Sequence, residues 1–425
     1  MSKQSLKERL ENGSLDARFE EIYVSGGAVE RAKANLTGLL DVFQESYPDL
    51  QPSLYTASGR TEMGGNHTDH QLGRVIAGSV DMETNAVAAP NGNRFISVVS
   101  TQYPEDRVDL GDLDPKVEEE GKSISLVRGI ARALVDRGYD LEGATILTKS
   151  GVPGGSGLSS SAAFETLIGN VLNHLFCGDE LSAEDIAQIG QYAENVYFGK
   201  PSGLMDQMAC SVGGIIEIDF EDEENPVVEH VNFDLGDAGY ALCIIDSGAD
   251  HADLTDDYAQ ITEDMGAVAG FFGKTRLREV DPDLFWAQLP KVREATSDRA
   301  VARAIHFFGD NDRVEEQIQA LRENDFPRFL ELVKDSGRSS GLYLQNLHST
   351  SSADQSVLLT IALAEKLLDG RGAVRVHGGG FAGTVQAYVP LEDVDAFKEG
   401  IESVLGEGSC YVVEIRPVGG AFIAE

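Results

Sequence analysis

The sequence predicts an α+β protein of two lobes, and three observations lead to that class. Strand-like and helical runs occur without the steady alternation of a doubly wound sheet. The stretch from Ala373 onward reads strand, strand, helix, strand. A chain of 425 residues also exceeds one small core and suits two domains or one large two-lobed unit. The division falls near residues 233–240, giving lobes of residues 1–235 and 236–425.

Residues 17–47 mix polar and apolar side chains at helical spacing. Runs at Arg74–Val80 and Phe95–Ser100 read as strands. Val127, Ile130, Ala131, Leu134 and Val135 share one face of a helix. A strand at Ala144–Thr148 leads into a Gly/Ser loop. After it Phe164, Leu167, Ile168, Val171, Leu172 and Leu175 mark an amphipathic helix. Strands recur at Gly214–Phe220, Val227–Phe233 and Tyr240–Asp246, and residues 253–370 read mainly as helix. The chain closes with strands at Ala373–Val376 and Thr384–Val389. A helix through Val394, Phe397, Ile401, Val404 and Leu405 follows, then a strand at Tyr411–Ile415. That β-β-α-β pattern suits a split ferredoxin-like lobe.

The chain carries 71 Asp and Glu against 34 Lys and Arg, a net charge of −37. Such a surface repels nucleic-acid backbones and anionic lipid, so neither is an expected partner. Any phosphate site must then rest on backbone N–H groups, a metal and a few local cations. Solubility or adaptation to salt is the plainer reason for the acidity. The runs Glu118–Glu120 and Glu221–Glu224 read as solvated loops. Cys177, Cys210, Cys243 and Cys410 form no CxxC pair and read as reduced core residues. The first residues are charged throughout and lack the apolar core of a signal peptide. No apolar run has the length to cross a bilayer, so a cytoplasmic location is expected. Oligomeric state is open, and a monomer is compatible with everything above.

Three segments carry chemistry. The loop Val152–Ala162 holds Gly154, Gly155, Ser156, Gly157, Leu158, Ser159, Ser160 and Ser161. Glycines let backbone fold round an anion, and a following helix adds unpaired N–H groups and positive dipole. No Gly-Lys-Ser/Thr follows, so it is no Walker loop. A plain glycine turn with a serine N-cap fits the same residues.

The second segment, Gly59–His70, packs Arg60, Glu62, Asn66, His67, Asp69 and His70 into a polar, glycine-broken stretch. That inventory suits a polyhydroxylated ligand. A metal site at His67, Asp69 and His70 is a rival, although the spacing matches no strong ligand signature. A self-satisfied Asx turn is another. The third segment, Glu194–Gln207, places Asp206 just after a Gly/Pro break. There it is either a helix N-cap or a carboxylate held at a cleft to accept or steer a hydroxyl proton.

Together, and in this order, the segments resemble the GHMP small-molecule kinases and, within them, the galactokinase family. The family's sugar signature, GR(V/I)NLIGEHTDYNGG, is matched by GRTEMGGNHTDHQLG, its GLSSSA loop by Gly157–Ala162, and its PCGIMDQ segment by Pro201–Gln207. Its GGGFGG motif is matched by Gly378–Gly383, and its H-x6-Y element by His251 and Tyr258. The resemblance spans residues 57–415.

It implies an N-terminal ribosomal-S5-like lobe, a C-terminal ferredoxin-like lobe and an active site in the cleft. It implies ATP- and Mg²⁺-dependent phosphorylation of a hexose anomeric hydroxyl, galactose first. Arg60 and Asp206 would be catalytic, and Gly154 to Ser161 would wrap the ATP phosphates, with Gly379 and Gly380 closing over nucleotide and sugar. Ser161 and Glu194 would hold Mg²⁺. Asn66, His67, Asp69, Gly203 and Tyr258 would contact the sugar.

The departures concern the sugar. Asn66 stands for the family's Glu, which bonds the primary hydroxyl, and Glu62 for its Asn. His70 stands for Tyr and brings a candidate positive charge. Ser58 replaces Pro, Leu72 replaces Gly or Asn, and Asp250 replaces Arg or Lys. These keep open a kinase for galacturonate, N-acetylgalactosamine or arabinose. A silent sugar/ATP sensor is a third reading, against which the intact Arg60, Ser161, Glu194 and Asp206 weigh. Homoserine and mevalonate kinases lack the His-Thr-Asp element.

Overall fold

The structure, a computed structural model, describes residues 5–100, 104–154, 157–200, 202–248, 254–349 and 353–425. Its strands are β1 (Ser53–Gly64), β2 (Arg74–Pro90), β3 (Phe95–Ser100), β4 (Asp106–Asp109), β5 (Ala144–Ser150) and β6 (Ile215–Asp219). They continue as β7 (Val227–Val231), β8 (Tyr240–Asp246), β9 (Ala373–His377), β10 (Thr384–Pro390), β11 (Cys410–Val413) and β12 (Ala421–Ala424). The first sheet runs β12-β1-β2-β5-β3-β4, with β6 also on β2 and β7 on β6. Every pairing is antiparallel except the parallel β3–β5 pair. The second sheet, β11-β8-β10-β9, is antiparallel throughout. With helices between β8 and β9 and between β10 and β11, it has the expected β-α-β-β-α-β order.

Strand β2 explains the branching of the first sheet. Its start pairs with β6 at Arg74–Gly78, its end with β5 at Thr84–Pro90, and β1 covers nearly all of it. Two register shifts in β1, at Ser58/Gly59 and at Glu62/Gly64, bend it along this twisted partner. Helix Ser160–Phe176 lays Leu167, Ile168, Val171 and Leu172 against Val127, Ile130 and Leu134 of helix Ser123–Asp136. Each such buried side chain contributes roughly 1.5–3 kcal/mol.

Several expectations change. Val135 is not on the buried face but exposed. The helical stretch 17–47 is two helices, Asp16–Ile22 and Gly26–Ser46, broken where Ser25 caps the second. Strand β1 itself was not foreseen. Nor was β12, which crosses back to pair with β1 beside the first lobe. Glu119 is not solvated: it is buried, and both its oxygens accept from Arg128 at 2.7 and 2.6 Å. Glu221–Glu224 is exposed. All four cysteines are buried and free, Cys243 and Cys410 lying on the neighbouring strands β8 and β11. Among the described residues, no helix is long and apolar enough to cross a membrane.

Candidate active site

Backbone geometry builds the site first. A side chain at Gly59 would lie 2.9 Å from the Leu158 carbonyl and 3.1 Å from that of Met82, so only glycine lets β1 approach the Gly/Ser loop. The next residue, Arg60, donates its backbone N–H to Leu158 O at 3.0 Å. Its side chain then reaches forward. Nε and Nη2 bind the two carboxylate oxygens of Asp206, each at 2.7 Å, while Nη1 donates to the Gly157 carbonyl. Such a two-pronged pair fixes both planes.

Asp206 is the second residue of helix Met205–Val212, whose N-cap is Leu204. It is therefore not an N-cap, and its carboxylate faces Arg60. Burial pushes Asp206 up, but Arg60, a hydrogen bond from Ser159 Oγ and the charge of Lys200 outweigh it and hold the carboxyl below its ordinary value.

The serine loop lacks the serine N-cap of a plain glycine turn. Ser159 precedes helix Ser160–Phe176 in a left-handed conformation (φ 57°) and makes no capping bond with its side chain. Its hydroxyl goes to Asp206 instead, so the N–H groups at the helix mouth receive no cap from this side chain. Gly157 (φ 67°) rests against Thr384 at the start of β10, where no side chain fits. Gly154 opens the loop, while Gly155 and Ser156 lie outside the described residues, as do Pro201, Asp250 and His251.

Ser161 Oγ donates to Glu194 Oε1 at 3.2 Å. The same carboxylate accepts from Lys200 Nζ (3.1 Å), Ser202 Oγ (2.6 Å) and Gln207 Nε2 (2.7 Å). Gln207 also donates to Glu165 at 3.0 Å. Burial, with the Glu194 charge close by, pushes the Glu165 carboxyl well above its ordinary value, and it stands directly behind the site. Lys200, Ser202, Gln207 and Glu165 were not foreseen as site residues. Three of them sit inside the segment Glu194–Gln207, but only folding brings them onto one carboxylate.

On the other side, His67 (φ 58°) donates from Nε2 to the Gly379 carbonyl at 2.8 Å, and Tyr258 OH donates to the Gly380 carbonyl at 2.9 Å. Rings of His67 and Tyr258 stack at 6.4 Å. Asp69 lies against Gly203, leaving no room there for a side chain. Burial, with Asp206 nearby, pushes Asp69 up to about 6. Thr68 closes the turn on the carbonyls of Gly65 and Arg74. Gly379 and Gly380 thus border the sugar loop. Among the described residues no group of three His, Cys, Asp or Glu is arranged to hold a metal, so His67, Asp69 and His70 do not form the rival metal site. His70 brings no positive charge either, because burial pulls it down to about 3.

Asn66 is placed unlike the other sugar-loop residues. It is fully buried, and its amide donates to Glu62 Oε1 (3.1 Å) and the Gly378 carbonyl (2.7 Å). Its oxygen accepts from Ser340 Oγ (3.0 Å) and Asn346 Nδ2 (2.9 Å). All four of its hydrogen bonds are therefore made within the protein. Amide and carboxylate have changed places relative to the family signature, and in this chain the two are hydrogen-bonded to each other. Asn66→Glu should accordingly destabilise the fold by on the order of 3 kcal/mol, since it buries a second carboxylate beside Glu62. Adding Glu62→Asn should restore most of that loss in urea unfolding. A single variant as stable as the parent would disprove the exchange.

Comparison with known proteins agrees with this geometry. Residues 125–214 match the GHMP kinases N terminal domain, and residues 41–90 match the galactokinase galactose-binding signature. A galactokinase of Glaesserella parasuis serovar 5 (strain SH0165) is 29% identical over 373 residues, covering 84% of this chain and 90% of its own. The crystal structure of Lactococcus lactis galactokinase complexed with galactose superposes with a TM-score of 0.78 at 25% identity, covering 91% of this chain and 99% of that one. Methanococcus jannaschii mevalonate kinase shares the fold (TM-score 0.61, 13% identity, 87% and 99% covered). The chain is similar to the galactokinases of the GHMP kinase superfamily in its N-terminal domain match, its galactose-binding signature and its fold.

Proposed function

We propose that the chain transfers the γ-phosphoryl group of ATP to the anomeric hydroxyl of galactose, yielding galactose 1-phosphate and ADP. The observation that carries this reading is the Arg60–Asp206 pair, set between a helix mouth fit for phosphates and the Asp69–Gly203 sugar loop. Residues 1–235 supply the phosphate loop and sugar signature, and residues 236–425 supply Tyr258, Gly379 and Gly380.

Galactose is held by His67, Asp69, Tyr258 and the backbone at Gly203, with the anomeric oxygen toward Asp206. Its O1 attacks the γ-phosphorus in line, the bond to the β,γ-bridging oxygen breaks, and ADP leaves. Asp206, kept ionised by Arg60 and Ser159, orients the hydroxyl and takes its proton as the O1–P bond forms. Arg60 offsets charge beside that oxygen. The Ser161 hydroxyl and Glu194 carboxylate are hard oxygen donors and fit Mg²⁺, which takes few protein ligands and completes its shell with water and phosphate. When bound, Mg²⁺ neutralises the charge on the β- and γ-phosphates. Lys200, already on Glu194 and close to Asp206, is a further cation at the phosphate end.

A coupled ADP-release assay with Mg-ATP across galactose, N-acetylgalactosamine, galacturonate, arabinose and glucose tests the reading. Galactose should give the highest kcat/KM. No turnover on galactose, with turnover on another sugar, would transfer the assignment to that sugar.

A further inference from the structure

A second cavity, of about 220 Å³, lies between helices Thr255–Phe271 and Asp298–Arg322 and the turn Ser340–Leu344. It falls below the roughly 300–1,000 Å³ of sites for drug-sized ligands, so its occupant is small. On its wall, Arg303 is only 4% exposed. Nε donates to the Leu344 carbonyl at 3.1 Å and Nη1 to Asp264 at 2.8 Å, while Nη2 has no hydrogen-bond partner among the described residues. One turn earlier, Arg299 binds the same carboxylate through Nε at 2.6 Å and Nη2 at 3.4 Å, and its Nη1 has no hydrogen-bond partner among the described residues. One carboxylate therefore serves two guanidiniums, each with a donor to spare. Burial and the neighbouring Arg299 charge depress the Arg303 pKa, against the pull of Asp264 and Asp257. Gln345 adds a donor, and Asp257, Gln260 and the Nε2 of His348, whose Nδ1 donates to the Ser349 carbonyl, add acceptors for hydroxyl protons.

We propose that this cavity binds a small polyhydroxylated ligand with an oxyanion head, the head on Arg299 and Arg303 and the hydroxyls on Gln345 and Asp257. Planar forked donors with free N–H groups are the chemistry that takes phosphate or carboxylate. The site is separate from the transfer site, because Phe381 stands between them. That ring lines the cavity on one side and meets Tyr258 edge-on at 5.4 Å on the other, and Tyr258 in turn stacks on His67. Phe381 is held in a left-handed conformation (φ 61°), so its ring position is set by the surrounding packing. An occupant pressing on it shifts Tyr258, and so acts on the KM for sugar more than on kcat.

The test is calorimetric titration of the full chain with glucose 6-phosphate, gluconate and inorganic phosphate, with Mg-ADP present throughout to occupy the phosphate loop. At least one probe should bind the parent protein. Arg299→Gln should weaken that binding about tenfold or more while leaving kcat unchanged. Leu358→Trp, which fills the cavity without touching the arginines, should abolish it. Binding of both phosphate compounds with gluconate silent identifies a phosphate ester, and binding of gluconate alone identifies a carboxylic acid. No binding by any probe, or equal binding to parent and both variants, overturns the proposal. Heat of binding needs no turnover, so this outcome is independent of the galactose assignment.

Discussion

Asp206→Asn should lower kcat by about 10³-fold or more, while ATP and galactose still bind. The carboxylate accepts from two Arg60 donors and the Ser159 hydroxyl. An amide of the same shape keeps the packing but presents one of the Arg60 donors with an NH₂ group. It also lacks the charge that orients the attacking hydroxyl, and it cannot take the proton. ADP release measured beside calorimetric binding separates the two effects. Turnover within tenfold of the parent would remove Asp206 from its catalytic role, and lost binding with lost turnover would make it a structural anchor. Because Arg60 and Ser159 hold Asp206 below its ordinary value, the acidic limb of the kcat profile should lie below the usual carboxylate range.

Arg375→Leu should be the most damaging change to stability, at about 3–5 kcal/mol. Arg375 is fully buried on β9 and pairs with Glu62 of β1, joining the two sheets through one ion pair. Its removal leaves a buried carboxylate without its cation. The sign of the pH dependence follows from Glu62, which burial pushes up to about 7 although Arg375 and Arg60 pull it down. A carboxyl whose folded pKa is raised costs stability progressively from its unfolded value up to its folded value. In the parent that loss is complete by about pH 7. Without Arg375 the folded value rises further, so the deficit of the variant should be smallest near pH 6 and grow from pH 7 to 8.5 in urea unfolding. A deficit that does not change with pH would show that Glu62 is not the group left unpaired.

Much of the site was legible because its parts are local. Glycines, serines and a His-Thr-Asp run stand out in an apolar chain, and the helices flanking them declare themselves by period. Strand β1 did not, for a physical reason. All twelve of its residues are buried, so no alternation of exposed polar and buried apolar side chains marks it, and Thr56, Ser58, Arg60, Thr61 and Glu62 are polar. Each is satisfied by a partner far away in sequence: Arg416, Cys210, Asp206, Gln386 and Arg375 respectively. The surroundings of Asn66 were hidden on the same grounds, since its partners Ser340 and Asn346 stand more than 270 residues further along the chain. Glu119 shows the reverse error, a charge run taken as wet although Arg128, nine residues on, buries one member of it.

The return of β12 to β1 has a consequence for biosynthesis. Strands β1 to β7 are made early, yet the edge of β1 stays bare until residues 421–424 leave the ribosome. Through all the intervening synthesis the nascent first lobe carries an open, largely uncharged rim at Ser53–Thr56, the kind of edge that recruits stray strands. The strong acidity of the chain supplies repulsion between neighbouring nascent copies over that interval. Completion of the first sheet thus waits on a strand more than 350 residues beyond the one it covers.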